Sequence, residues 1–468
     1  MVADLVIRNG IVHTPAGPVL GGLAVTSGKI LAIGADESLP AGDVTVNADR
    51  QHIMPGLIDA HGIFGRGDWE PTARQESVHA AVNGVTTIIG YVQMGDLTAP
   101  RRIGVHREAR ALCQRESFVD FKFNAALGTL EQIEEISALV EEGVSSFNFW
   151  INLSLLEREQ YGFPHLDYAF LYRALEVIRE VGPPAFASVH CEEPEIIHML
   201  FERSAKEGRQ DLRTWAATRP SFTEGIQTFG AGLIGLELGV PISFVHVAAP
   251  EAVDAIRYLR ARGAHVYAET CPQYLTLSPT DDLGLLGKQM PPLRDEAYQR
   301  SLWQACSDGT IDFIGSDHQI ARREDKEIPG GLWGQPNERA GSGGGLTGSI
   351  APIMLSEGVN KNRISVDQFV RLCAENPARI YSIFPQKGAL LPGADADMIL
   401  VDLDRDWVMS ADALKSSSDY CLWDGWHVRG RVTRTFVRGR LVAQDGDLVA
   451  TDPDGRYVGG PEPSLISV

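Results

Sequence analysis

Gly56-Leu57-Ile58-Asp59-Ala60-His61 is a short apolar run, opened by a glycine and closed by an imidazole. A run of this length bounded by turn residues reads as a buried strand that carries a polar side chain at its C-terminal end. Seven further apolar, β-branched runs follow, at residues 85–91, 119–127, 145–151, 185–190, 242–247, 265–271 and 311–317. Helix-patterned stretches separate most of them, 129–142 and 250–262 among them. Eight strands alternating with helices over roughly 330 residues fit an α/β fold of the (β/α)8 barrel type better than an open sheet.

The flanks have a different texture. Residues 4–8, 11–13, 23–25 and 29–33 read as short strands, with Gly10, Gly17, Gly21, Gly22 and Gly28 at their breaks. Strand-like runs return at 397–402 and 432–439, again with little helix between them. This pattern predicts a small β-sandwich domain assembled from residues 1–52 and 388–468, with the barrel over 53–387.

Composition narrows the function classes. The 468 residues are 44% hydrophobic and 22% charged, which excludes a disordered, collagen-like or coiled-coil chain. A net charge of -19 argues against attachment to nucleic acid or to an anionic membrane surface. The apolar runs fall far short of the ~20 residues of a spanning helix, and Met1-Val2-Ala3-Asp4 lacks the start of a signal peptide. Six scattered cysteines without a CxxC pair suggest reduced thiols and a cytoplasmic location. Gly341-Ser342-Gly343-Gly344-Gly345 lacks the Lys-Ser/Thr ending of a phosphate cradle.

Barrel chemistry sits at the C-terminal strand ends. Read in order, those ends are His61, Tyr91, Asn124, Asn148, His190, His246, Glu269 and Asp317-His318. A single such histidine is more often a core or rim packing residue than a ligand. Three imidazoles and a carboxylate on one rim shift that balance toward a cation such as zinc.

Met54-Pro55-Gly56-Leu57-Ile58-Asp59-Ala60-His61 resembles the first barrel strand of the amidohydrolase superfamily. Glu269-Thr270-Cys271-Pro272-Gln273-Tyr274-Leu275, Pro291-Pro292-Leu293-Arg294 and Gly315-Ser316-Asp317-His318 are similar to its cyclic amidohydrolases: hydantoinase, dihydropyrimidinase, allantoinase and dihydroorotase. Glu375-Asn376-Pro377-Ala378-Arg379 and Gly393-Ala394-Asp395-Ala396-Asp397 extend the resemblance nearly end to end, and Asp419-Tyr420 favours the hydantoinase/dihydropyrimidinase branch. It implies a small-molecule substrate, a metal-dependent barrel plus β-sandwich, and a homodimer or homotetramer.

The pattern breaks at the site. The resemblance implies two metals held by an H-x-H pair, a carboxylated lysine, two further histidines and an aspartate. His61, His190, His246 and Asp317 match, but the second histidine of the pair falls on Ile63 and the lysine on Asn148. An amide nitrogen cannot capture carbon dioxide, so there is no carboxylated lysine at Asn148. Isoleucine has no lone pair to offer, and by strand parity it shares His61's face. A tyrosine that helps polarise the scissile carbonyl falls on Leu153, a substrate-holding serine on Met290, and two common histidines on Asn124 and Gln273.

What remains is a set for one divalent ion, zinc first with manganese or iron as alternatives, held by His61, His190, His246 and Asp317. Asp317 is then also the candidate general base. Lys122 lies inward on strand three, with a catalytic carbamate as the sharp reading and an ion pair to Asp120 as the plain one. Trp150 reads as mouth packing or a roof over the vacated site, Glu192 as a counterpart of a family residue or a rim charge, and Arg66, Arg322, Arg323 and Trp333 as solvated loop residues or contacts for an anionic or aromatic ligand. Two readings stay open: a one-metal hydrolase of a cyclic amide or imide, with a decarboxylase or lyase as its variant, and an inactive hydantoinase-fold subunit that binds or scaffolds.

Overall fold

A computed structural model describes residues 2–64, 69–92, 98–99, 101–155, 158–159, 162, 166–334 and 346–459. Its centre is an eight-stranded parallel sheet: β6 (Leu57–Phe64), β7 (Val85–Val92), β8 (Asp120–Ala126), β9 (Ser146–Phe149), β10 (Phe186–Val189), β11 (Ile242–Phe244), β12 (Val266–Thr270) and β13 (Phe313–Ile314). Neighbours in sequence are neighbours in the sheet, and the parallel bridge between Gly62 and His318 closes it. The strands are buried on both faces, which is why they read as continuous apolar runs rather than as alternations.

All eight strand readings fall on strands, six with shorter bounds, while β6 and β7 run on to Phe64 and Val92. The run at 311–317 is paired only over Phe313–Ile314, because Gly315-Ser316-Asp317 leaves the ladder to present the site. The helical reading at 129–142 breaks into Leu130–Ile133 and Ile136–Glu141, the first capped by Thr129 with Gln132. Three helices matter below: α1 (Trp69–Val82), α2 (Tyr168–Val181) and α3 (Ser221–Leu238).

A second sheet joins the two ends of the chain. Its first strands are β1 (Ala3–Thr14), β2 (Gly17–Thr26), β3 (Lys29–Gly34), β4 (Gly42–Asn47) and β5 (His52–Pro55). β14 (Met398–Val408), β15 (His427–Val437), β16 (Arg440–Gln444) and β17 (Asp447–Leu448) complete it, with β5 paired to β14 in antiparallel register, Met398 opposite Pro55. The two short strands read at 4–8 and 11–13 are one strand, kinked where Asn9 takes a left-handed φ of 58° and the register slips. No helix of the described residues is long and apolar enough to cross a membrane.

Where barrel and second sheet meet, Lys387 is buried among three carboxylates. It donates to Asp120, to Asp397 at 2.6 Å and pairs with Asp395 at 3.0 Å, while Arg438 takes the other oxygen of Asp120. Asp120, the first residue of β8, is therefore paired with Lys387 and Arg438. Lys122 donates instead to the Gly143 carbonyl, so the expected Lys122–Asp120 pair is not formed. Burial lowers the Lys122 ammonium to about 8, and its bond to the loop before β9 holds it at the end of the barrel away from the histidines.

Candidate active site

The strand ends bring His61, His190, His246 and Asp317 together, all four buried. The His61 and His246 rings lie 5.5 Å apart and those of His190 and His246 4.3 Å apart, while His61 Nε2 is 3.4 Å from Asp317 Oδ1. His246 and Asp317 both sit at left-handed backbone positions, φ 41° and 55°, a strain that non-glycine residues keep where the surroundings over-determine them. For His246 those surroundings are clear. Glu224 of α3 accepts from the Ala248 and Ala249 amides at 2.8 and 3.1 Å, and Val247 N donates to the Glu269 carbonyl at 2.7 Å.

Two carboxylates orient the imidazoles. Glu269, at the end of β12, accepts from His61 Nδ1 at 2.8 Å. Glu192 accepts from His190 Nε2 at 3.0 Å and from Arg219 Nη1 at 2.8 Å, so it is a buried ion-pair partner rather than the rim charge expected of it. Gly315 makes this packing possible: a Cβ there would lie 2.4 Å from Glu269 Oε1 and 2.9 Å from the His61 Cβ. Asp59 ties β6 to the end of β13, accepting from Ser316 Oγ at 2.6 Å and Thr347 Oγ1 at 2.8 Å.

The charges follow from burial and neighbours. Desolvation works against a charged His61, yet Glu269 and Asp317 carry it up to about 9. Desolvation pushes Asp317 up to about 7, against the pull of His61. Desolvation, with other imidazoles close by, lowers His190 and His246, which leaves both neutral. Behind them His318 donates to Glu76 of α1, which Ser417 also meets; despite burial, His318 lowers Glu76 to about 2.

Neutral imidazoles plus a carboxylate suit a single divalent ion in donor chemistry. Nδ1 of His246 is buried without a hydrogen-bond partner among the described residues, as are Oε2 of Glu269 and Oε1 of Glu192. The four predicted ligands nonetheless do not converge as drawn. Among the described residues no three His, Cys, Asp or Glu side chains are arranged to hold a metal ion, because His61 Nε2 faces Asp317 directly and His190 Nε2 is bonded to Glu192. A second ion finds still less. Asn148 donates to Tyr91 Oη at 3.2 Å and Ser188 Oγ at 3.4 Å, and Asn124 Nδ2 to the Ala60 carbonyl at 3.2 Å.

The other sequence candidates take structural places. Gln273 donates to the Ser316 carbonyl at 3.3 Å; Trp150 and Leu153 pack half-buried against the core. Arg322 and Arg323 are exposed, and Trp333 donates to the Arg209 carbonyl at 2.7 Å with its ring against Phe201. Arg66, the Gly341–Gly345 loop and the Ile63 side chain lie outside the described residues. The residues missed were Glu269 as a partner of His61 and the Glu76–His318 pair. Only Glu269's place at a strand end marked it.

Comparison with known proteins fits this geometry. Residues 156–442 match the model of the amidohydrolase family. An L-hydantoinase of Paenarthrobacter aurescens is 31% identical, over 97% of this chain and 98% of its own. An allantoinase of Desulfitobacterium hafniense is 30% identical with the same coverage of both chains. A solved L-hydantoinase (dihydropyrimidinase) from Arthrobacter aurescens superposes with a TM-score of 0.88 at 30% identity, covering 98% of this chain and all of that one. Likeness of this extent makes the chain a member of the amidohydrolase family.

Proposed function

We propose that the chain is a hydrolase that opens a C–N bond of a cyclic amide or imide at the barrel rim, with one divalent ion, zinc in the first instance, held by His61, His190, His246 and Asp317. The observation that carries this is the meeting of three imidazoles and a carboxylate at the C-terminal ends of the barrel strands. The bond class comes from the relatives, a hydantoinase and an allantoinase matched over 98% of their length.

Held by those residues, such an ion would lower the pKa of a water to about 7 and so supply the nucleophile. The chain's own groups do the rest. Asp317, at the rim beside His61, is placed to take a proton and return it to the leaving nitrogen. Glu269 fixes the ring orientation of His61, and Glu192 that of His190, as carboxylates behind ligating histidines do. Tyr91 keeps its phenolic proton, burial pushing its pKa up, and holds Asn148 in place of the absent lysine.

A binding-only subunit is the second reading, favoured by Asn148 being committed to Tyr91 and Ser188. Elemental mass spectrometry on chelator-free protein, followed by ring-opening assays on hydantoin, dihydrouracil and allantoin, separates the two. About one ion per chain and turnover of one ring supports the hydrolase. An ion-loaded protein that opens none of the three removes it, and a folded chain that takes up no zinc favours the binding subunit.

A further inference from the structure

Asn148 falls where the family pattern has a lysine, and its surroundings fix which way its amide points. Phe149, next along β9, packs outward on Phe170 of α2 with the ring centroids 6.0 Å apart. By strand parity Asn148 therefore faces the barrel interior. Ser188 pairs with Asn148 across β9 and β10 and precedes His190 by two residues, so all three share the inward face. The Asn148 side chain is 2% exposed.

Three contacts close a triangle around the amide. Nδ2 lies 3.2 Å from Tyr91 Oη and 3.4 Å from Ser188 Oγ, and the two hydroxyls are 3.2 Å apart. Three contacts need three hydrogens. The amide nitrogen brings two and the Tyr91 hydroxyl the third, which leaves the Ser188 hydrogen for Ser146 Oγ at 3.2 Å. Turned round, the amide would bring none, and two hydroxyl hydrogens could not serve three contacts. Oδ1 is thus the end left over, buried and without a hydrogen-bond partner among the described residues. The Tyr91 ring lies 4.9 Å from that of His61, which puts the amide one side chain from the rim imidazoles. Gln273, just after β12, repeats the arrangement. Its Nε2 donates to the Ser316 carbonyl, which can only accept, and its Oε1 is unanswered among the described residues.

We propose that Asn148 is a substrate-recognition residue whose Oδ1 accepts a hydrogen bond from a ring N–H, so that the site takes cyclic amides, imides and ureides with an unsubstituted ring nitrogen. The inference rests on the hydrolase reading above for the nature of the ring. A buried amide oxygen carries a desolvation cost that water or a ligand donor offsets. A ring without the N–H leaves that oxygen unpaired, and the site rejects it. Replacement of a lysine by asparagine then changes the position from a cation into a neutral acceptor, and Gln273 Oε1 is a second acceptor of the same kind.

The test compares hydantoin and dihydrouracil with their N-methyl derivatives, reading kcat/KM where a ring opens and a calorimetric Kd where it does not. The unaltered chain should prefer each parent ring over the derivative methylated at one of its nitrogens by roughly 10- to 100-fold. Asn148→Leu should bring the parent ring down to the level of that derivative and leave the derivative itself unchanged. Discrimination that survives in Asn148→Leu overturns the proposal, even where the rings are opened, and so does an unaltered chain that treats parent and derivative alike. Rings that bind with the expected discrimination but are never opened support the recognition and remove the hydrolase reading. A chain that binds none of the rings removes both. Should Asn148→Leu fail to fold, Asn148→Ala carries the same expectation.

Discussion

Two clusters of buried charge lie in this barrel, and they are finished to different degrees. Around Lys387 each polar atom has its answer: Asp120 takes Lys387 and Arg438, Asp397 takes Lys387 and the Arg438 amide, and Asp395 takes Lys387 and, at 2.9 Å, Lys29. At the histidine rim His246 Nδ1, Glu269 Oε2 and Glu192 Oε1 are buried and unanswered among the described residues. A saturated cluster has nothing left to bind with and serves as a joint. An unsaturated one carries a desolvation cost that water or a ligand can recover, which suits the rim to the chemistry proposed for it.

The contrast can be broken first at the joint. Lys387→Met leaves three carboxylates without their shared cation and should cost about 3–5 kcal/mol; the shift of the urea unfolding midpoint reads it. A midpoint unmoved would mean that the cluster is not the joint described. Next comes Glu76. Its folded pKa of about 2 lies below the ordinary 4.5, so its contribution to stability is full above about 4.5 and fades as pH falls toward 2. Glu76→Gln should lower stability at pH 7 by about 1.5–3 kcal/mol and flatten that acid limb in a series of thermal melts.

Gly315→Ala presses a methyl group against Glu269 and His61 and should cost about 1–3 kcal/mol, with loss of whatever ion the rim retains, measured by melting and elemental analysis on one sample. The smallest effect on stability is expected at the rim itself. His246→Asn keeps a residue type that tolerates the left-handed backbone and removes an imidazole nitrogen that bonds to nothing. Its unfolding free energy should move by no more than about 1 kcal/mol while ring opening and ion retention disappear. A large loss of stability instead would place His246 with the joint rather than with the site.

Much of this was legible in the sequence because burial leaves a plain mark. Eight strands covered on both faces give apolar runs, and the polar residue that ends each run is by geometry at the rim. Reading those ends singled out His61, His190, His246 and Asp317, which lie beside one another at the rim without the convergence that a metal needs. Pairing is less visible. Nothing in a run of letters says that Lys387 rather than Lys122 reaches Asp120, since the choice depends on how the closing segment docks beneath β8. Glu192 looked like a surface charge because its partner, Arg219, is 27 residues away. α3 escaped notice altogether, for Ala231, Leu238 and glycines on its buried side and Phe222, Ile226, Phe229 and Leu233 on its outer side leave no single apolar face for periodicity to find.

The sheet built from both ends of the chain has a consequence for synthesis. β5 pairs with β14, which is made some 340 residues later, and at about 5–20 residues per second that is a wait of roughly 20–70 s. Through that interval the strands from residues 3–55 lack the neighbours that complete their sheet, while the barrel grows behind them. Emergence of β14, not of the N-terminus, is then the moment at which this edge is sealed. Slow elongation or early termination should show itself as aggregated N-terminal fragments rather than as a soluble barrel lacking its tail.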